Sequence, residues 1–344
     1  MAVKTTWYEC DSRFIAAHYQ PAALLDLALG RDVDSHRLLR GTGLFHDDIL
    51  AGQVRISPRQ FLQLIDNAQR LLAADDSSFL FGQRLLPGHY GAASHALRHA
   101  ASLHQALTLL VEQRALLSPL LAPRLLVDEH NVYLYWLDSC GGGEQRRFLL
   151  EASMTAVYAS SRWLAGEKLP WQCSFSHAQP RYIEQYWVNL GEQVQFERQV
   201  DMMSIPRHYL HQPWPMASAT VGQVAQQQSQ RQLDELGFDA SLLDRLYDHL
   251  QAHIRQPLNL EQVAQAFAMS PATLKRKLHK HGTHFQEQLD LVRKHVALYL
   301  YQAKGYSNED VAAYLQFHDT TNFRRSFKRW TGFAPSALLQ LLGP

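Results

Sequence analysis

The sequence predicts a mixed α/β, α+β-type N-terminal domain followed by an all-α C-terminal domain in which a long helix joins two helix-turn-helix units. Three observations predict this. Helical and strand periodicities are interspersed through the first part of the chain, whereas only helical periodicity, broken by short turns, remains after residue 240. Within that last part an apolar pattern occurs twice. Charge divides at the same place: residues 241–344 carry 13 Lys and Arg against 8 Asp and Glu, a balance of +5, and residues 1–240 carry 20 against 24, a balance of −4. Such asymmetry suits a chain in which one domain alone meets a polyanion.

Size and composition fit this reading. A chain of 344 residues has the length of about two domains. Its 46% hydrophobic and 19% charged content argues against disorder. Cys10, Cys140 and Cys173 are odd in number and widely spaced. That argues against a disulfide framework or a Cys-rich zinc site and for a reducing compartment. The N-terminus lacks the apolar run of a signal peptide, and no stretch reaches the roughly 18 apolar residues of a membrane span. A cytoplasmic protein with no membrane partner is expected.

Taken in order, residues 58–73 read as a helix with Phe61, Leu62, Ile65, Ala68, Leu71 and Leu72 on one side. Residues 92–101, 103–117 and 146–164 read as helices too. Residues 131–138 are rich in strand formers and are expected to be buried on both faces. Residues 171–177 alternate around Trp171, Cys173 and Phe175, and residues 194–196 suggest a further short strand. The pattern breaks at Pro213-Trp214-Pro215, and the glutamine-rich residues 223–232 are open between linker and exposed helix. The expected organisation is a domain at 11–212, a connector at 213–240 and a helical domain at 241–341.

The strongest signal is the repeat. Val263, Phe267 and Met269 recur 48 residues later as Val311, Leu315 and Phe317, and Leu274 and Leu278 recur 49 later as Phe323 and Phe327. One inserted residue in the turn explains the change of offset. Each copy reads as two helices and a tight turn, at 260–282 and 307–331. Asn259 with Gln262, and Ser307 with Asp310, have capping-box spacing. Ser270-Pro271 sets a capping hydroxyl before a first-turn proline, and Asp319 or Thr320 can cap the last of the four helices. Ala264 and Ala312 let the second helix of each copy cross closely. Those second helices carry Lys275, Arg276, Lys277 and Lys280, then Arg324, Arg325, Lys328 and Arg329, with no acidic residue in either. Each is anchored on one side and basic on the other, which suits a major groove. Residues 285–302 form one helix of about 27 Å between them, close to the ~34 Å of one DNA turn.

The segment from Leu260 to Leu278, and the run Asn322-Phe-Arg-Arg-Ser-Phe-Lys-Arg-Trp-Thr-Gly-Phe-Ala-Pro335 above all, resembles the DNA-binding domain of AraC/XylS transcription regulators. Residues 11–212 resemble, more loosely, the arabinose-binding-like ligand-sensing domain of a helix-rich subgroup, through Phe175-Ser-His177, Pro180, Tyr186 and Val194-Gln-Phe196. The resemblance points to Ala272, Lys275 and Arg276 in the first unit and Thr321, Asn322 and Arg325 in the second as facing bases. The chemistry agrees: Arg and Lys read guanine, Asn reads adenine, and Ala and Thr methyls suit thymine. Lys277, Lys280, Arg324, Lys328 and Arg329 are expected on phosphates, together with the helix N-terminus at Thr320. Where the family often has Gly in each turn, this chain has Ala268 and Gln316. A positive φ there costs roughly 1 kcal/mol.

Other patterns are weaker. A basic amphipathic helix alone is commonly a solvated face; two in register with a duplicated core are not. His95 and His99 have metal-pair spacing, but no Glu completes a His-Glu-x-x-His motif, and the histidines at 279, 281 and 284 suit a helix C-terminus. No metal and no cofactor is expected. His89 and Tyr90, in Gly88-His-Tyr-Gly91, are candidates for an effector pocket, against the commoner reading as an ordinary loop. No Gly-x-Ser-x-Gly, Walker A or dinucleotide fingerprint supports an enzyme. The expectation is a non-enzymatic, sequence-specific regulator whose promoter binding responds to a small molecule in the N-terminal domain. Its expected partners are duplex promoter DNA, the effector, RNA polymerase and a second copy of the chain. The rivals are a sequence-nonspecific architectural binder and an enzyme fused to a DNA reader.

Overall fold

Residues 7–342 are described by the computed structural model, and the chain divides between Leu242 and Leu243 into two units. In the first, strand β1 (Ile15–Ala16) pairs antiparallel with β2 (Arg55–Ile56), and α1 (Gln20–Leu29), α2 (Ser35–Leu38) and α3 (His46–Leu50) lie between them. Helix α4 (Pro58–Leu72) begins as its sequence dictates. Ser57 Oγ accepts the Gln60 N–H, the Gln60 side chain accepts the Ser57 N–H, and Pro58 takes the first turn.

Helices α5 (Ser77–Leu85), α6 (Ala92–Arg98), α7 (Leu103–Glu112) and α8 (Arg114–Leu117) follow. The single helix expected over 103–117 is thus two, broken at Gln113 (φ −96°, ψ 22°). The Gln113 side chain is buried and accepts the Ser229 hydroxyl at 2.6 Å, a non-local bond that local periodicity does not report.

Next come β3 (Leu121–Val127), β4 (Asn131–Asp138), α9 (Arg146–Ala165), β5 (Gln172–Ser174), α10 (Ile183–Leu190), β6 (Val194–Gln195) and β7 (Met202–Pro206). The strands form one sheet in the order β3-β4-β7-β5-β6, antiparallel except for β5–β6. Strand β4 corrects an expectation: Val132, Leu134 and Trp136 are buried while Tyr133 and Tyr135 are half-buried. An antiparallel sheet needs only one covered face.

Helix α9 runs through the middle of this unit. A Cβ at Gly82 of α5 would lie 2.5 Å from the Ala152 carbonyl oxygen of α9, so the two helices cross in backbone contact. Glu151 of α9, 2% exposed, accepts bonds from Ser78 (2.6 Å), Arg147 Nε (3.0 Å) and the Tyr186 hydroxyl, tying α5, α9 and α10 together. Burial, reinforced by that carboxylate, pushes the Tyr186 and Tyr182 phenols above their ordinary values.

The glutamine-rich stretch belongs to α11 (Ala219–Leu236), which packs against α6 and buries Ala225, Ser229 and Leu233. At the unit's end, the Tyr8 N–H donates to the Ala240 carbonyl and the Leu242 N–H to the Tyr8 carbonyl. The Tyr8 ring packs on Phe14 and Phe238, and its hydroxyl donates to the Pro119 carbonyl.

The second unit is helical: α12 (Leu242–Ala252), α13 (Leu260–Ala266), α14 (Pro271–Lys280), α15 (Phe285–Lys304), α16 (Asn308–Tyr314), α17 (Thr320–Thr331) and α18 (Pro335–Leu342). Val263, Leu274 and Leu278 of one copy, and Val311, Phe323 and Phe327 of the other, are fully buried. The duplicated pattern is a duplicated core. Helix α15, with 20 residues, is about 30 Å long. Among the described residues no helix is long and apolar enough to cross a membrane.

Candidate nucleic-acid interface

The two basic helices, α14 and α17, each start on a side-chain cap. Ser270 Oγ accepts the Thr273 N–H at 3.2 Å with Pro271 in the first turn, and Asp319 Oδ1 accepts the Asn322 N–H at 2.7 Å. The helices that precede them are capped as well. Asn259 accepts the Gln262 N–H at 2.9 Å, and Ser307 and Asp310 form a complete reciprocal box. Hydrogen bonds from the Ser307 hydroxyl and N–H hold the Asp310 carboxyl below its ordinary value.

Both turns adopt the left-handed conformation on non-glycine residues, Ala268 at φ 53° and Gln316 at φ 61°. Their N–H groups donate to the Gln265 and Ala313 carbonyls, and the next residues, Met269 and Phe317, return to the Ala264 and Ala312 carbonyls. The two turns are the same motif, hydrogen bond for hydrogen bond, which is the backbone counterpart of the sequence repeat.

With Leu274 and Leu278 sealed inside, α14 presents Ala272, Lys275 and Arg276 to solvent, while Lys277 and Lys280 are half-buried. In the same way α17 presents Thr321, Asn322, Arg324, Arg325, Lys328 and Arg329, with Thr320 half-buried at its N-terminus. The inner side of α17 is aromatic: Phe323 and Phe327 pack with Tyr301, Phe317 and Trp330 at ring separations of 5.5 to 6.5 Å. Arg293 of α15 lies 5.3 Å over the Phe317 ring, its guanidinium lowered by burial.

Two pairings escape the sequence pattern. Arg329 forms a salt bridge with Asp290 of α15 at 2.9 Å, so α17 does not present it as a free cation. The Asn322 amide donates to Asp319 Oδ2 at 2.6 Å, which fixes its orientation at the head of α17. An Asp at an N-cap three residues before an Asn was the available signal for the second; nothing in the sequence links residues 290 and 329.

In the first unit, Tyr90 is buried, donating to the Arg84 carbonyl at 3.3 Å and packing against Tyr19, while His89 is exposed. The His95 and His99 rings lie 5.0 Å apart, tilted by 59°, and His281 Nδ1 bonds the Lys277 carbonyl at the end of α14.

Two helix-turn-helix units, each with a buried apolar side and an exposed basic side, define a DNA-binding transcription regulator. Residues 33–214 match the model of the arabinose-binding domain of AraC transcription regulators, N-terminal part, and residues 263–340 match a helix-turn-helix domain model. The chain belongs to the AraC family of transcriptional regulators, with an arabinose-binding-like N-terminal domain. It is 29% identical to the ornithine utilization regulator of Pseudomonas aeruginosa, over 91% of this chain and 93% of that one. An uncharacterised HTH-type transcriptional regulator of Mycobacterium tuberculosis is 25% identical over 92% and 94% of the two chains. The solved structure of the transcriptional regulator CdpR from Pseudomonas aeruginosa aligns over 93% of this chain and 98% of its own, at 19% identity and a TM-score of 0.44.

Proposed function

We propose that this regulator binds a specific promoter sequence through both basic helices, and that a small molecule held by its N-terminal domain controls that binding. One observation carries the reading. Side chains suited to base edges (Ala272, Lys275 and Arg276, then Thr321, Asn322 and Arg325) stand exposed on the second helix of each duplicated unit, beside cations suited to phosphates. In the first role Arg276 and Arg325 read guanine, and Asn322, held by Asp319, reads adenine. In the second, Lys277, Lys280, Arg324 and Lys328 meet phosphates with the Thr320 end of α17, and Arg329 joins them once it leaves Asp290.

For the effector to act, it must bind the DNA-competent and incompetent states with different affinity, a coupling of typically about 5- to 150-fold. The domains at 11–212 and 241–341, with the connector at 213–240, divide the labour in this scheme. A second copy of the chain and RNA polymerase complete it at the promoter.

Selection of bound sequences from a random duplex pool by the full-length protein tests the reading. One enriched motif with two contact blocks about 10 base pairs apart is expected. Uniform binding to every duplex, with a common salt slope, would replace it with a sequence-nonspecific architectural role.

A further inference from the structure

A cavity of about 210 Å³ in the first unit is lined by residues from four segments, 14–20, 52–55, 115–119 and 232–236. Its floor is apolar, with Phe14, Ile15, Val54, Leu116 and Leu236. Around that floor stand Gln20, which donates to the Leu117 carbonyl, and six further polar side chains: His18, Tyr19, Gln53, Arg55, Gln232 and Glu235. Among the described residues none of the six side chains has a hydrogen-bond or ion-pair partner. His18 Nδ1 is buried as well, facing Gly52. An apolar floor with a few convergent, unspent polar groups is the usual make-up of a small-molecule site. The volume lies below the roughly 300–1,000 Å³ of sites for drug-sized ligands. The occupant is therefore a small metabolite.

The charges define its class. Arg55 and Glu235 are one cation and one anion on the same lining. A simple carboxylic acid would leave Glu235 unmatched, a polyamine would leave Arg55 unmatched, and a neutral sugar would leave both charges unmatched. A molecule bearing both an ammonium and a carboxylate satisfies both. We infer that this cavity binds a small zwitterion of the amino-acid class, its carboxylate toward Arg55, its ammonium toward Glu235, and its side chain over the apolar floor.

The inference rests on the proposal that a small molecule controls DNA binding, and it names where and what. The site includes the last turn of α11, through Gln232, Glu235 and Leu236, and the N-terminal segment around β1. That segment begins just after Tyr8, which clasps residues 240 and 242 by backbone hydrogen bonds. A ligand bridging the two therefore stiffens the stretch of chain that leads into the DNA-binding unit at Leu243. Neither His89 nor Tyr90 lines this cavity.

Titration calorimetry on the full-length protein tests the assignment, using the common L-amino acids, their N-acetyl and carboxamide forms, and L-arabinose. One or a few free amino acids are expected to bind, while the forms missing either charge bind about ten- to a hundredfold more weakly. Arg55→Gln and Glu235→Gln, both at exposed positions, are expected to weaken the free amino acid by the same factor. Equal binding of the single-charge forms, binding indifferent to both substitutions, or binding of arabinose in place of amino acids would each overturn the assignment. A parallel DNA-binding assay with sugars, carboxylic acids, aromatic acids and polyamines separates the two levels. A response to one of these without amino-acid binding overturns the zwitterion site and keeps small-molecule control; no response to any compound overturns both.

Discussion

Ala268 and Gln316 occupy left-handed backbone in the two turns, where a side chain with a Cβ costs about 1–2 kcal/mol. Glycine removes that cost but gains freedom in the unfolded chain. Ala268→Gly and Gln316→Gly are each expected to stabilise the second unit by about 0.5–1 kcal/mol in thermal denaturation. A loss of stability would mean that the turns hold something else in place. Base-facing and phosphate-facing residues are separable by substitution. Arg276→Ala or Arg325→Ala should cost about 1–3 kcal/mol on the selected site and relax one base position, whereas Lys328→Ala should weaken all sequences evenly and lower the salt slope by about one. Identical behaviour of the two classes would refute the assigned roles. The Ser307–Asp310 box has a pH signature. Because folding lowers the Asp310 pKa, the stabilisation is complete above the ordinary carboxylate range and disappears as pH falls through the folded value. The stability difference between wild type and Ser307→Ala, measured across acidic pH, should shrink in that direction.

Among the elements, what local chemistry specifies is what the sequence predicts well. Capping residues, a first-turn proline and apolar spacing place α4, α13, α14, α16 and α17 almost to the residue, because each signal acts within one or two helical turns. Elements whose limits depend on distant partners are less legible. Helices α7 and α8 separate at Gln113, whose side chain bonds to the distant Ser229, and β4 buries one face more fully than the other within an antiparallel sheet. The crossing of α5 and α9 is of the same kind: Gly82 in the sequence is only a weak spot in a helix, yet in the fold it is where another backbone passes. Gly82→Ala is expected to destabilise the first unit by about 1–3 kcal/mol, since the added methyl would sit 2.5 Å from a carbonyl oxygen that cannot move alone. An unchanged melting temperature would show that α5 and α9 have slack the structure does not suggest.

For the molecule as a whole, two units with separate cores predict two unfolding events. Scanning calorimetry should resolve them, and Glu151→Ala should lower only that of the first unit, by about 3 kcal/mol, since it orphans Ser78, Arg147 and Tyr186 at once. A single cooperative transition that shifts as one would contradict that division. The sequence by itself determined the class of the protein: the repeat, the caps, the charge split and the basic helices are short-range patterns, and they suffice for a DNA-binding regulator. The tertiary structure alone decided that Arg329 is paired, with Asp290 reaching it across 39 positions, and where a cavity opens, from segments spread between residues 14 and 236. Periodicity and capping are written in neighbours along the chain, whereas a salt bridge or a pocket exists only once folding has brought remote residues together.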